Sequence, residues 1–264
     1  MAAIADAVRI VFKVGTSTLT HANGNMNIRR VDELVRVLSD MKNAGKEVLL
    51  VSSGAIAVGA GYLGLKERPR DTIGKQAAAA VGQSELMYAY DKRFAEFGHR
   101  TGQVLLTRDV VENGKSKQNA INTFDRLLEY KVVPIINEND TVSTEEIEFG
   151  DNDRLSAMVA ALVGADLLVL LTDIDGLYDS DPHVNENAVL IEKVDKIDEN
   201  VLNLAGGAGS NRGTGGMVTK LQAAEIALNA GIPTVIMNGG DPARIYDLFD
   251  GKKVGTIIGE RTGK

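Results

Sequence analysis

Two stretches of the sequence combine a lysine with glycine and hydroxyl residues, a composition that suits the binding of phosphate groups. The first, VFKVGTST at 11–18, closes the first apolar run, with Lys13 near the predicted end of a strand and Gly15 allowing a tight turn. In an open α/β sheet, ligands bind beyond the carboxyl ends of the strands. Taken alone, these residues are more typical of a solvated lysine beside ordinary turn residues, and the alternative is the start of an anion site, which the rest of the chain must decide.

The second stretch, GTGGMVTK at 213–220, lies at the start of a predicted helix. Glycines let backbone N–H groups approach a phosphate, and the N-terminus of a helix attracts anions. Lys220 falls in the first turn of that helix, within reach of such a phosphate. The stretch is not a Walker A motif, because no Gly-Lys-Ser/Thr follows at the required spacing. The alternative is a glycine-rich surface loop followed by an exposed lysine.

A strongly acidic run covers residues 138–153. Such runs are usually solvated faces, and the alternative is recognition of a ligand ammonium group. Asp151 and Asn152 precede a predicted helix, where Asp and Asn are common caps, so capping and function have equal weight for Asp151. Asp153 lies past the cap position, which favours a functional role for its carboxylate.

Composition excludes several classes of function. The 264 residues carry 29 basic and 36 acidic side chains, a formal net charge of −7, which argues against general nucleic-acid binding. Cysteine is absent, and the three histidines are scattered, so a zinc site is not expected. The N-terminus lacks a clean signal-peptide core, and the apolar runs are too short to span a membrane. We predict a cytoplasmic protein.

Strands and helices alternate along the whole sequence, which predicts an α/β fold with a mainly parallel sheet and helices on both faces. We expect one domain over residues 1–264, without repeats or linkers. The predicted strands are 8–12, 47–51, 103–106, 132–136, 166–171, 234–237 and 255–258, and the predicted helices begin near 28, 55, 74, 118, 152, 217 and 243.

The carboxyl ends of parallel strands share one edge of a sheet, so polar turns that follow different strands should meet there. We expect four such turns to meet at this edge of the sheet: residues 13–16, 53–54, 137–140 and 172–173. Loops are polar by default, so each turn alone is weak evidence of a site. Their convergence would place lysine, hydroxyl, amide and carboxylate groups around one ligand.

An ordered set of motifs covers nearly the whole chain and resembles the glutamate 5-kinases of the amino acid kinase family. The set fits this branch better than the aspartokinases, carbamate kinases, N-acetylglutamate kinases or UMP kinases. The motifs are KVGTSTLT at 13, SSGAIAVG at 52, AAVGQ at 79, INENDTV at 136, GDNDRLSA at 150, LLTDIDGLY at 170 and GTGGMVTKLQAA at 213.

The resemblance implies a three-layer αβα sandwich around a central, mainly parallel open sheet, of the amino acid kinase and carbamate kinase type. It implies phosphorylation of the γ-carboxylate of L-glutamate by ATP with Mg²⁺, giving L-glutamyl 5-phosphate for proline biosynthesis. Carried over residue by residue, it assigns the two lysines to the phosphates and the carboxylate between them to their positioning, and it names no protein ligand of the metal, which leaves direct ligands open. The assigned catalytic residues are Lys13, Asp153 and Lys220; those for ATP are Lys13, Thr172, Asp173, Thr214, Gly215, Gly216, Met217, Val218, Thr219 and Lys220; those for glutamate are Ser53, Gly54, Asp140 and Asn152.

The resemblance also implies a homo-oligomer that is inhibited by proline. Ser52 stands where threonine is common in the family, which is a mild departure. Many members carry a further C-terminal PUA domain, and we expect this chain, which stops at Lys264, to be the kinase domain without it.

Two alternative functions remain. A sister acylphosphate-forming kinase such as N-acetylglutamate kinase would use an acetylated amine, which has no charge for Asp140 to pair with. A non-catalytic domain that senses nucleotide or proline would not need to keep Lys13, Asp153 and Lys220 together. An assay of phosphoryl transfer to each candidate acid separates the three.

Overall fold

One eight-stranded sheet forms the centre of the protein in the computed structural model, which describes residues 2–107, 110, 114–142, 152–182, 184–205 and 216–260. The strands are β1 (Arg9–Val14), β2 (Glu47–Ser52), β3 (Thr101–Leu106), β4 (Val133–Glu138), β5 (Leu167–Thr172), β6 (Lys193–Val194), β7 (Thr234–Asn238) and β8 (Thr256–Ile258). Their order across the sheet is β3-β4-β2-β1-β5-β7-β8-β6. All neighbouring pairs are parallel except β7 with β8.

Helices connect these strands, as the alternating pattern predicts. They are α1 (Ala2–Ala5), α2 (Thr16–Leu19), α3 (Ile28–Asn43), α4 (Ala55–Tyr62), α5 (Thr72–Glu96), α6 (Gly114–Glu129), α7 (Asp153–Val163), α8 (Glu199–Ala205), α9 (Met217–Asn229) and α10 (Arg244–Phe249). Within the described ranges, no helix combines the length and the apolar character that crossing a membrane requires.

Alternate residues of the central strands pack into different layers. Ile10 and Phe12 of β1 belong to a core shared with α3, α4, α5 and α10, whereas Val11 belongs to a second core shared with α6, α7 and α9. Because successive side chains of a strand point to opposite faces, each central strand is buried on both sides. The predicted αβα sandwich is therefore confirmed.

Several element boundaries differ from the sequence prediction. β1 continues beyond Phe12 because its ladder to both neighbours extends through Lys13 to Val14, so Lys13 lies inside the strand. β4 likewise continues to Glu138, because Asn137 and Glu138 still pair with β3. The long helix α5 begins at Thr72 instead of near 74, and α6 begins at Gly114 instead of near 118.

Helices α4 and α5 touch backbone to backbone at two glycines. A Cβ atom built on Gly59 would lie 1.8 Å from the carbonyl oxygen of Ala78, and one on Gly82 would lie 1.8 Å from that of Ala55. Only glycine fits at these two positions unless the helices separate. This contact fixes the position of α4, whose N-terminus follows the turn Ser53–Gly54 at the end of β2.

Candidate active site

A buried carboxylate joins two buried lysines at the carboxyl edge of the sheet. Asp153 Oδ1 lies 2.6 Å from Lys13 Nζ, and Asp153 Oδ2 lies 3.1 Å from Lys220 Nζ. Asp153 is fully buried, and the lysines are 4% and 6% exposed. The structure thus brings together three predicted site residues, which we call the triad, and it excludes the alternatives in which either lysine is solvated.

Strand parity and helix placement explain how the triad forms. Lys13 has the same parity in β1 as Val11, so its side chain lies on the side of the sheet covered by α7 and α9. Asp153 is the first residue of α7, and Lys220 lies in the first turn of α9. One strand and two helix N-termini, far apart in sequence, therefore deliver the three charged groups to one place.

The triad carries more positive than negative formal charge, with two ammonium groups for one carboxylate. Burying ions is costly, and replacing a buried ion pair by apolar residues is often stabilising, so this cluster is poorly explained by stability alone. Lys220 also lies at the positive end of the dipole of α9, which disfavours a cation and makes the contact with Asp153 more important. The arrangement suits a polyanion that approaches the lysines.

The N-terminus of α9 lies beside the triad. Gly216 occupies its N-cap position without a side-chain cap, a geometry that favours anion binding by backbone N–H groups. Thr219 donates its hydroxyl to Gly216 O at 2.8 Å and lies 3.4 Å from Asp153 Oδ2, so the first turn of α9 is tied to the triad. Thr214 and Gly215, both predicted for nucleotide binding, lie outside the described residues.

The remaining residues predicted for nucleotide binding lie at this edge or in the same helical turn. Thr172 ends β5 and donates its hydroxyl to the Asp173 carboxylate at 3.1 Å, and Asp173 is exposed. Met217 and Val218 are half-buried at the start of α9. Their backbone and side chains offer contacts for a ligand that extends from the triad toward β5.

A cavity of about 1120 Å³ opens on the other side of the turn that follows β1. Its wall includes the predicted residues Ser53, Gly54 and Asp140, together with Thr16 and Asn137. The triad residues do not line it. Lys13 Nζ lies 3.9 Å from the place that a Cβ on the intervening Gly15 would take, so the cavity and the triad are neighbours.

Asp140 gives the cavity a titratable carboxyl group near neutral pH. Burial raises the pKa of Asp140 to about 7, the Glu138 carboxylate adds to the increase, and Arg68 opposes it. Asp140 is 7% exposed and Asp153 fully buried, so the interpretation of the acidic run as a solvated face is wrong for these two residues. Asp151 lies outside the described residues, and its role stays undecided.

The turn after β2 has a backbone that favours glycine. Gly54 has φ +97°, a left-handed conformation that side-chain-bearing residues rarely adopt. The Ser53 N–H donates to Val14 O at 3.2 Å, which holds the turn against the end of β1. Ser53 and Gly54 therefore form a fixed corner between the cavity and the turn that contains Gly15.

Asn152 occupies the N-cap position of α7 but does not cap the helix with its side chain. Its Nδ2 donates to Ser52 O at 2.7 Å and to Asn137 Oδ1 at 2.6 Å. The residue immediately before Asp153 is thus tied to β2 and β4, the strands behind the cavity. Asn137 in turn donates to Gln83 of α5 at 2.9 Å.

Sequence reasoning did not assign roles to Gln83 and Tyr90. Gln83 lies in the AAVGQ motif, but a single polar residue in an alanine-rich helix gives no indication of its partner. Tyr90 is fully buried, and its hydroxyl lies 2.9 Å from Ser52 Oγ. Gln83 and Tyr90 are seven residues apart, which places both on one face of the helix. This spacing was the one feature of the sequence that linked the two residues.

In the described ranges, no group of three or more His, Asp or Glu residues could hold a metal ion. Magnesium in kinase sites is commonly held by one or two carboxylates together with substrate phosphates and water.

Comparison with protein families and curated proteins gives one consistent match. The model of the amino acid kinase family matches residues 8–238. A protein named glutamate 5-kinase from Clostridium perfringens is 53% identical over 266 residues, covering 99% of each chain. Another glutamate 5-kinase, from Lactiplantibacillus plantarum, is 51% identical over 257 residues, covering 96% of this chain and 97% of the relative.

Solved structures show the same fold at lower identity. An isopentenyl phosphate kinase from T. acidophilum superimposes with a TM-score of 0.64 at 22% identity, covering 95% of this chain and all of the other. A UMP kinase from Ureaplasma parvum also gives 0.64, at 19% identity, covering 96% of this chain and 99% of the other. These two structures bear on the fold alone.

Proposed function

The chain belongs to the amino acid kinase family, and from this we propose that it acts as a glutamate 5-kinase. It transfers the γ-phosphoryl group of ATP to the γ-carboxylate of L-glutamate, giving L-glutamyl 5-phosphate, the first step of proline biosynthesis. The observation that supports this most directly is the triad beside a cavity lined by Asp140. It supplies positive charge for a phosphoryl group and negative charge for an amino acid at adjacent positions.

The reaction needs no general base. A free side-chain carboxylate has a pKa of about 4.3 and is ionised at neutral pH, so it is already a nucleophile. The obstacle is repulsion between this carboxylate and the γ-phosphate, which positioning and positive charge must overcome. Lys13 and Lys220 stabilise the charge on the transferring phosphoryl group. Asp153 holds both ammonium groups at fixed separations and acts as a positioning residue.

Recognition of the amino acid takes place in the cavity. The Asp140 carboxylate pairs with the α-ammonium group of glutamate, which explains a preference for the free amino acid over an N-acetylated one. Ser53 and the backbone around Gly54 bind a carboxylate, and Asn152, which lies behind the wall, supports the pocket through its hydrogen bond to Asn137. The nucleotide lies along the N-terminus of α9, with Thr172, Asp173 and residues 214–220 as its contacts.

Mg²⁺ accompanies the nucleotide in this proposal, and its charge offsets part of the charge of the phosphates. In kinase sites the metal is commonly held by one or two carboxylates together with substrate phosphates and water, and the proposal follows this pattern. Of the carboxylates near the triad, Asp153 is engaged by both lysines, whereas Asp173 is exposed and available to the metal or its water.

An acyl phosphate is trapped by hydroxylamine, which gives a direct test. With ATP, Mg²⁺ and hydroxylamine, we expect γ-glutamyl hydroxamate from L-glutamate and little product from N-acetyl-L-glutamate. Product from N-acetylglutamate alone would identify a sister kinase. Nucleotide or proline binding without any product at high enzyme concentration would identify a sensing domain. Addition of EDTA should abolish turnover.

The pKa of Asp140 predicts how activity depends on pH. Below about pH 7 this carboxyl group is mostly protonated in the free enzyme and neutral, so it does not attract the substrate ammonium. We therefore expect kcat/KM for glutamate to rise about tenfold per pH unit below this pKa and to level off above it. Initial rates from pH 5.5 to 8.5 at low glutamate check this.

Asp140→Asn is the matched variant for the pH profile. It should show a lower kcat/KM and lose the rise centred near pH 7, because the titrating group is gone. A wild-type profile that falls between pH 6 and 8 would contradict the assignment of this carboxylate to ammonium recognition.

Proline inhibition and assembly into a homo-oligomer are further parts of the proposal, and both rest on the family resemblance. Proline shares the α-carboxylate and an α-nitrogen with glutamate, so it fits the same charge pattern of Asp140 and the Ser53–Gly54 corner. Adding proline to the hydroxamate assay tests inhibition, and light scattering of the purified protein gives its oligomeric state.

A further inference from the structure

Helix α5 reaches the back of the substrate cavity through a chain of three side-chain amides, which we call the amide relay (Gln83, Asn137 and Asn152). Asn137 Nδ2 donates to Gln83 Oε1 at 2.9 Å, and Asn152 Nδ2 donates to Asn137 Oδ1 at 2.6 Å. All three side chains are buried, with Gln83 the most exposed at 9%. Asn137 is the member that lines the cavity.

Backbone groups fix the direction of this relay. The oxygen and nitrogen of an amide are hard to distinguish by shape, so their assignment depends on partners that can only donate or only accept. The Glu138 N–H, a pure donor, lies 2.9 Å from Asn137 Oδ1. The Ser52 carbonyl, a pure acceptor, lies 2.7 Å from Asn152 Nδ2. The orientation of each asparagine amide is therefore fixed by its own backbone partner, independently of the other asparagine.

One consequence concerns Gln83. Because the Asn137 oxygen already serves the Glu138 N–H and Asn152, its Nδ2 must face α5 and needs an acceptor there. Gln83 Oε1 is that acceptor. An apolar residue of the same size would leave a buried N–H group unsatisfied and remove the only fixed partner that the described residues give this end of the relay.

A second consequence concerns Asn152. With its Nδ2 committed twice, the capacity that remains is its Oδ1, which is buried and accepts no hydrogen bond from the described residues. Asn152 is fully buried and does not line the cavity, so Asn137 is the member of the relay whose position bears directly on a ligand there.

We propose that Gln83 is a positioning residue for recognition of the amino-acid substrate: by accepting from Asn137 Nδ2, it holds in place the member of the relay that lines the cavity. The inference rests on the proposed function of the cavity. Strand parity supports it, because Asn137 shares its face of β4 with Ile135, which packs in the same core as α5.

Kinetics of two near-isosteric variants test the proposal. Gln83→Met removes the acceptor and should raise KM for glutamate about tenfold or more, with kcat and KM for ATP changed less than about twofold. Gln83→Glu keeps an oxygen acceptor at the same place and should hold KM for glutamate within about threefold of wild type. Gln76→Met, on the same helix two turns earlier, is the control and should match wild type.

The outcomes separate the proposal from its premise. Wild-type protein without glutamate phosphorylation would refute the proposed function itself. If the wild type is active, an unchanged KM in Gln83→Met, or an equal rise of KM in Gln83→Glu and Gln83→Met, overturns the role of Gln83. Thermal unfolding of each variant shows whether a loss reflects folding, and a lowered kcat with unchanged KM would also contradict a role in recognition.

Discussion

Lys220→Ala is expected to lower kcat, at saturating ATP and glutamate, by about 10²-fold or more, the range seen when one preorganised charge or donor is removed from a transition state. Its ammonium group is held 3.1 Å from Asp153 Oδ2 in a buried setting, where a charge interacts strongly with a transferring phosphoryl group. KM for glutamate should change little, because the cavity proposed for the amino acid lies on the other side of the Gly15 turn.

The control is Lys117→Ala, which removes an exposed lysine from α6 and should leave kcat unchanged. Circular dichroism and thermal unfolding establish that Lys220→Ala is folded, which we expect because Lys13 still neutralises Asp153. Near-normal turnover of a folded Lys220→Ala protein would exclude this lysine from phosphoryl transfer.

Gly82→Ala should destabilise the protein strongly, and more than the same change at Gly74, the other glycine of α5. A Cβ on Gly82 would lie 1.8 Å from the carbonyl oxygen of Ala55 and 2.5 Å from the backbone nitrogen of Gly59, so α4 and α5 must move apart. Backbone atoms cannot rotate away as a side chain does. We expect a loss of about 3 kcal/mol or more in the free energy of unfolding, at the upper end for overpacked cores.

Urea unfolding followed by circular dichroism measures this change. Gly114→Ala is the matched control, because a Cβ there meets no atom of the described part of the chain within 4 Å and the residue begins a helix, where alanine is favourable. The Gly82 variant should also raise KM for glutamate, since Gln83 and the N-terminus of α4 shift with it. Equal stability of the two variants would show that the helices separate at little cost.

The strand and helix order of this protein is readable from its sequence because buried parallel strands are short, apolar and bounded by turns. The convergence of Lys13, Ser53, Asp140 and Thr172 follows from that order alone, since all four lie at or just beyond strand ends. The ends of the strands were less predictable. The strand that contains Lys13 continues past its apolar run, because a polar residue is tolerated at the end of a strand when a neighbouring helix supplies its partner.

Contacts between layers could not be predicted from the residues themselves. The pairing of Lys13 and Lys220 with Asp153 depends on how α7 and α9 cross the sheet, and it was expected only through the family resemblance. Gln83 and Tyr90 look like isolated polar residues in a helix, and their partners lie on β4 and β2. The backbone contact of Gly59 with α5 likewise requires the angle between two helices, which composition does not specify.

The pleat of the central strands separates the two tasks of this enzyme in space. Lys13 faces the α7 and α9 layer, where we propose that phosphoryl transfer takes place, whereas Ser52 and Asn137 face the α5 layer, behind the cavity proposed for the acceptor. Substitutions behind the cavity can therefore change which acid is accepted without altering the residues proposed for phosphoryl transfer. The Asn152–Asp153 peptide bond is where the two sides meet, so we expect evolutionary or engineered changes of substrate to spare that dipeptide and to accumulate on α5 and the turn after β2.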